Sequence, residues 1–99
     1  MKVIYHPEVE EKILSLGNSD SARVYKLLDL FLKYKFSLSQ LYLKKLTKGL
    51  WELRPGKYRL LFGMANENVI VVTIFRKQTQ KTPMKAIKLA LRRLKEYES

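Results

Sequence analysis

The sequence predicts an α+β fold: a small antiparallel meander sheet with N-terminal helices packed on one face and a C-terminal helix. Three observations carry this. The C-terminal half holds three strand-like runs, "LWELR", "KYRLLFGMA" and "VIVVTIFRK", separated only by "PG" and "NEN", so neighbours should pair antiparallel. Upstream, apolar residues recur at helical spacing. Downstream, Met84, Ile87, Leu91 and Leu94 form one face of a last helix, while Lys85, Lys88, Arg92 and Lys95 form another. The expected order is β-α-α-β-β-β-α.

The elements follow in sequence. "KVIYH" alternates enough for a short first strand. Pro7 suits the first position of a helix, and Glu8, Glu10 and Glu11 favour the positive end of its dipole. Val9, Ile13 and Leu16 give its apolar stripe, and Gly17 its stop. Ser19 or Asp20 caps a second helix, which the spacing of Val24, Leu27, Leu28, Phe31 and Tyr34 carries towards Lys35. "SLSQLYLKKLTKG" has no single period; a short helix over part of it and a loop ending at Gly49 are expected. After the three strands, Thr82 caps and Pro83 opens the last helix.

Composition bounds the function. Ninety-nine residues make one domain, 1–99, with a core of its own. A hydrophobic content of 46% excludes a disordered chain. No apolar run approaches membrane-spanning length, and "MKVIYHPEVEE" lacks the apolar stretch of a signal peptide, so a cytoplasmic protein with no membrane partner is expected. There is no cysteine, and with one histidine a zinc site would be nearly all carboxylate, so neither metal nor cofactor is expected. The net charge is +11, and it is uneven: from Leu30 to Lys95 the only acids are Glu52 and Glu67, against sixteen Lys and Arg. Such a field is the footprint of a polyanionic partner, nucleic acid or an acidic protein.

Alternation along the strands sorts these cations. Trp51, Leu53, Leu60 and Phe62 should share the core face, and Glu52, Arg54, Lys57 and Arg59 the other. If Pro55-Gly56 is a tight two-residue turn, Glu52 faces Arg59 and Arg54 faces Lys57. The last strand runs into "FRKQTQKTP", residues 75–83, which holds no carboxylate. One of Arg76 or Lys77 must join the polar face. Tyr58 is expected in the core and His6 at a helix cap or on the surface.

The stretch from "LTKGLWELRPGKYRLLFG" through "FRKQTQKTPMKAIKLALRRLKEY" resembles the RelE/HigB superfamily of bacterial toxins, nearest to its phage-derived HigB-like branch. There "ELR", "YR" and a terminal "F-x-K-K-x-Q-K-T-P" run precede a last helix in this order. The resemblance implies the toxin of a toxin–antitoxin pair, a ribosome-dependent endoribonuclease that cleaves mRNA in the A site. It implies a cognate antitoxin with a helix-turn-helix, HigA-like, through which alone operator DNA is reached. Arg54 of "ELR" and Arg59 of "YR" match arginines of the family's concave face. Arg76 and Lys77 match the basic pair after the last core strand, and Lys81 the lysine before "TP". RelE's functional C-terminal tyrosine has no counterpart at positions 82 to 85, and RelE carries lysines where this chain has Leu50 and Glu52. The acid and base of RelE therefore do not carry over.

RNA cleavage by the ribose 2′-OH needs a proton acceptor, a donor for the 5′ oxygen and cations for the charge that develops on phosphorus. Arginine forks suit phosphate oxygens. Arg59 is the first candidate for that role, with Arg54, Arg76 and Lys77 around it. Glu52 is either a structural partner of Arg59 or a base. Lys45, Lys48 and Lys57, with Lys44, lie near the first meander strand; together with Lys81 and Lys85 they are candidates for RNA phosphates. Two rivals remain: a ParE-like gyrase inhibitor, whose branch has a similar fold, and a non-catalytic RNA-binding protein; the cation cluster and the ending before "TP" favour the RNA-cleaving branch.

Overall fold

The computed structural model describes residues 1–98; Ser99 lies outside the described residues. The chain forms β1 (Val3–Tyr5), α1 (Pro7–Ser15), α2 (Asn18–Tyr34), a 3-10 turn (Lys35–Ser37), β2 (Leu43–Thr47), β3 (Leu50–Leu53), β4 (Tyr58–Ala65), β5 (Asn68–Arg76) and α3 (Met84–Lys95). Among the described residues the strands form one five-stranded sheet in the order β1-β5-β4-β3-β2. Strands β2 to β5 are an antiparallel meander, and β1 lies parallel to β5, with Val3 beside Val69 and Tyr5 beside Val71.

The N-terminal helices share one face of the sheet, as expected. Val9, Ile13, Val24, Leu27, Leu28 and Phe31 meet Leu53, Leu60, Phe62, Val69 and Val71 there. The last helix covers the other face, where Ala90 and Leu94 meet Leu50, Leu61, Ile70 and Val72. The reason lies in β5: Val69 and Val71 point one way, Ile70 and Val72 the other, and a strand apolar on both sides must be covered on both. Each such side chain contributes about 1.5–3 kcal/mol when fully buried. Leu61 pairs with Thr73 and Phe62 with Val71, so Val72 is an extra residue, a bulge that bends this central pair.

The hairpin register differs from the expected one. Glu52 stands opposite Leu61, not Arg59, while Trp51 stands opposite Phe62 and Leu53 opposite Leu60. A two-residue hairpin turn needs positive φ at its first or both central positions, which proline cannot adopt. The chain instead opens a wider turn, in which Gly56 has φ +61° and the Tyr58 N–H donates to the Pro55 carbonyl at 3.2 Å. The shift is by two residues, so the faces survive: Arg59 still lies across the sheet from Trp51. Lys57, however, is not paired with Arg54; its ammonium lies 3.7 Å from Asp20 at the start of α2.

Three further elements differ. Residues 43–47 are a strand, not a helix or loop. Leu43 faces one core and Leu46, three positions on, faces the other by ordinary alternation, so the strand's two apolar residues show a helical spacing rather than a two-residue period. Gly17, not Ser19 or Asp20, is the N-cap of α2, and Pro83, not Thr82, is that of α3; neither makes a side-chain capping bond. His6 caps α1, its Nδ1 accepting the Glu8 N–H at 3.1 Å. Tyr58 is half-buried and belongs to neither core cluster.

Candidate functional site

On its second face the sheet is wider than the helix that covers it. Beyond α3, the ends of β3, β4 and β5 and the segment 77–83 enclose a crevice lined by Glu52, Arg59, Arg76, Lys77, Lys81 and Thr82, among others. Its free volume is about 20 Å³, enough for one water. Phosphate oxygens can reach its rim; a nucleotide cannot enter.

Glu52 organises the crevice. It is only 1% exposed, and a buried carboxylate must be paired. The Arg54 Nε donates to its Oε1 at 3.0 Å, and the Thr82 hydroxyl donates to its Oε2 at 2.5 Å. Arg54 sits two positions on, just past β3, where its N–H still pairs with the Tyr42 carbonyl at 2.9 Å, and the alternation places both side chains on one face. Thr82 arrives from the far end of the 77–83 segment, so its hydroxyl, expected at a helix cap, latches that segment onto β3. The expected structural partner, Arg59, makes no hydrogen bond to Glu52. Its guanidinium turns back on the hairpin, donating to the carbonyls of Gly56 and Tyr58, both at 2.8 Å. Burial lowers the Arg59 pKa below its ordinary value; Glu52 opposes this and Arg54 adds to it. The group still carries its charge at neutral pH, and its other nitrogen atoms remain free to donate.

The other candidates divide. Lys77 continues the ladder past β5, its N–H donating to the Lys57 carbonyl at 2.8 Å, and alternation turns it to the Arg59 side. Arg76 registers with Tyr58, so the pleat sends its side chain to the opposite side from Arg59, at the crevice margin. Lys81 lines the crevice. Lys45 lies over the Trp51 ring at 5.6 Å, on the face away from the crevice. Lys48 stands in the β2–β3 turn, exposed. Lys85 belongs to a separate open groove on α3 with Lys88 and Arg92. Thr82 was missed as a site residue. The only signal for it was a hydroxyl beside a proline, which reads equally well as a cap. Among the described residues no group of three or more His, Cys, Asp or Glu is placed to hold a metal ion, and no helix is long and apolar enough to cross a membrane.

A buried anion held among Arg54, Arg59, Lys77 and Lys81 leaves the crevice with a surplus of donors. Such an arrangement can bind a phosphodiester and stabilise added charge on it. Both Glu52 oxygens are engaged, so its geometry suits anchoring rather than proton transfer.

Solved structures share this fold. The chain matches the archaeal RelE–RelB complex from Pyrococcus horikoshii with a TM-score of 0.63 at 20% identity, covering 76% of this chain and 92% of that one. It matches the RelB–RelE antitoxin–toxin complex from Methanococcus jannaschii with a TM-score of 0.59 at 11% identity, covering 74% and 88%. The isolated E. coli RelE toxin gives a TM-score of 0.61 at 17% identity, covering 87% and 94%. No curated protein matches the chain. The family model "Phage derived protein Gp49-like (DUF891)" matches residues 11–95. The chain has the fold of the RelE toxins and belongs to the phage-derived Gp49-like family.

Proposed function

We propose that this chain is the toxin of a toxin–antitoxin pair and a ribosome-dependent endoribonuclease that cleaves mRNA in the A site. The observation that supports this most is the crevice itself: a cationic, narrow rim whose one carboxylate is withdrawn into an anchoring role. In the proposed reaction the 2′-oxygen forms a bond to phosphorus and loses its proton, while the bond from phosphorus to the 5′-oxygen breaks and that oxygen gains one. Arg59 stabilises the charge on the non-bridging oxygens, with Arg54 and Lys77 around it and Arg76 acting from the crevice margin. Arg54 acts from its position on Glu52, and Lys81 holds a flanking phosphate. Lys45, Lys48, Lys57 and Lys85 lie outside the crevice and would meet the RNA of the ribosome by charge.

Two of the similar structures are complexes of RelE with RelB, one of them an antitoxin–toxin complex. The corresponding partner proposed here is an antitoxin with a helix-turn-helix, HigA-like, that neutralises the toxin in the cytoplasm. The test is induction of the chain in bacteria with primer extension on translated mRNA. Arg59→Ala should reduce cleavage roughly a hundredfold or more, and Arg59→Lys should restore only part, because a point charge does not replace the fork. Growth arrest without cuts in mRNA would remove the nuclease reading.

A further inference from the structure

The crevice is too small for a nucleotide, yet a strand bound there must place its neighbouring bases somewhere. Around the free edge of the sheet lies a groove of about 520 Å³, within the range of small-ligand sites. Phe36 and Trp51 pack in its wall with ring centroids 4.6 Å apart and planes tilted by 49°, and Phe36 is 45% exposed. Leu38, Gln40, Leu43, Lys44, Lys45 and Arg54 complete the lining.

We propose that this groove is a nucleobase subsite for single-stranded RNA, holding a base next to the phosphate bound at the crevice; only the identity of the strand as mRNA rests on the nuclease reading. Three features favour RNA over an acidic peptide. The aromatic surface offers a stacking platform, which a peptide carboxylate does not need. Gln40 supplies both a donor and an acceptor for a base edge. The groove is also linked to the crevice by one ion pair: Arg54 lines the groove while its Nε holds Glu52 of the crevice, and Lys44 registers directly opposite Glu52 across the β2–β3 pair. A strand crossing the sheet edge would thus meet Arg59 on one side, Arg54 and Lys44 at the edge, and the aromatic wall on the other. Phe36 is held for this by Phe31, whose ring meets it edge-on at 5.2 Å.

Trp51 is the single tryptophan of the chain, so its emission reports on the groove directly. The experiment titrates the full chain with a 2′-O-methyl oligoribonucleotide, which cannot be cleaved, and follows Trp51 fluorescence. Single strands should quench it saturably, duplex RNA much less. Phe36→Ala should weaken binding roughly five- to a hundredfold. Lys45→Ala, at an exposed position where folding is unaffected, should weaken it by a smaller factor, and thermal melting checks the fold of both. Absence of quenching, or affinity unchanged in both variants, overturns the subsite. Intact RNA affinity with lost neutralisation by the antitoxin also overturns it and gives the groove to a protein partner. Because cleavage plays no part in the readout, the two proposals fail separately. Quenching without mRNA cuts sinks the nuclease reading alone, and mRNA cuts without quenching sink the subsite alone.

Discussion

The two faces of the sheet are built by the same strands and serve different ends. Under α1 and α2 the packing is continuous: every element there contributes buried apolar side chains, and Phe31 sits at the centre, its ring edge-on to Phe62 at 4.9 Å. Under α3 the apolar cluster is smaller and stops before the sheet does. Beyond it the strands carry Glu52, Arg54 and Arg59, and a latched segment takes the place of a helix. The difference teaches where function can be carried. A face whose centre is covered by helices fixes the strands and stays open only at its β2–β3 edge; a face half covered leaves strand ends whose polar side chains are held in place and still reach solvent.

The largest effect expected from breaking this division falls on the covered face. Phe31→Ala removes a fully buried ring that contacts both Phe62 and Phe36. It should cost about 3–5 kcal/mol, the range for aromatic truncation in a core. Chemical denaturation should show this loss with an unchanged m-value, and Trp51 emission should shift because Phe36 loses its support. A loss below 1 kcal/mol would mean that this face is not the one that holds the fold.

On the other face the most sensitive point is Gly63. A Cβ there would lie 2.4 Å from a Leu94 methyl and 2.8 Å from the Gly49 carbonyl oxygen, so both α3 and the β2–β3 turn would have to move. Gly63→Ala should destabilise by about 1–3 kcal/mol, as overpacking does. The sharper reading is positional. Hydrogen exchange should accelerate in α3 and at the β2–β3 turn while α1 and α2 keep their protection. Uniform acceleration across both faces would show that they unfold as one unit.

Much of this comparison was legible in the sequence. Strong periods gave α1, α2, α3 and the three long strands, because each buries one or both faces against a core. Alternation alone separated Glu52 and Arg59 from Trp51, and that separation survived the error in register, since a shift by two residues preserves the faces. What was illegible depended on contacts between distant residues. Leu43 and Leu46 of β2 point to opposite cores at a three-residue spacing, and only pairing with β3 makes a strand of "LKKLT". Arg93, which the pattern of the last helix does not single out, donates to the Val72 carbonyl at 2.9 Å and pairs with Glu8 of α1. Thr82 is thirty residues from Glu52, and no local pattern announces that bond.

That bond gives the next test. Thr82→Val keeps the side-chain shape and removes the hydroxyl, leaving Glu52 Oε2 without its donor. The stability loss should be about 1–3 kcal/mol, the cost of an unsatisfied buried acceptor. Thr82→Ser should restore most of it. Under the nuclease reading, mRNA cleavage should fall by more than the unfolded fraction explains, since the 77–83 segment carrying Lys77 and Lys81 loses its anchor. Limited proteolysis should then cut within 77–83 first. If the segment stays as protected as in the parent chain, the latch is not what holds it.

The smallest expected effect lies where the two faces meet. Arg93 of α3 reaches from the Val72 carbonyl of β5 to Glu8, and beside that pair His6 caps α1 through the Nδ1 that accepts the Glu8 N–H. That bond needs a bare nitrogen, so it favours the neutral ring. Burial lowers the His6 pKa from its ordinary value, Arg93 lowers it further, and Glu96 opposes them. A histidine with a lowered folded pKa binds fewer protons when native than when unfolded. Its contribution to stability is therefore fully present above the unfolded value, about pH 6.5, and is lost as pH falls through the folded one. His6→Asn keeps an acceptor for the cap and cannot titrate. Its melting temperature should match the parent near pH 8 and fall less steeply below about pH 6.5. A variant that falls as steeply as the parent would place the acid sensitivity elsewhere. A parent that gains stability on acidification, with the gain lost in His6→Asn, would mean that Glu8 and Glu96 outweigh Arg93 at this joint and hold the ring as a cation.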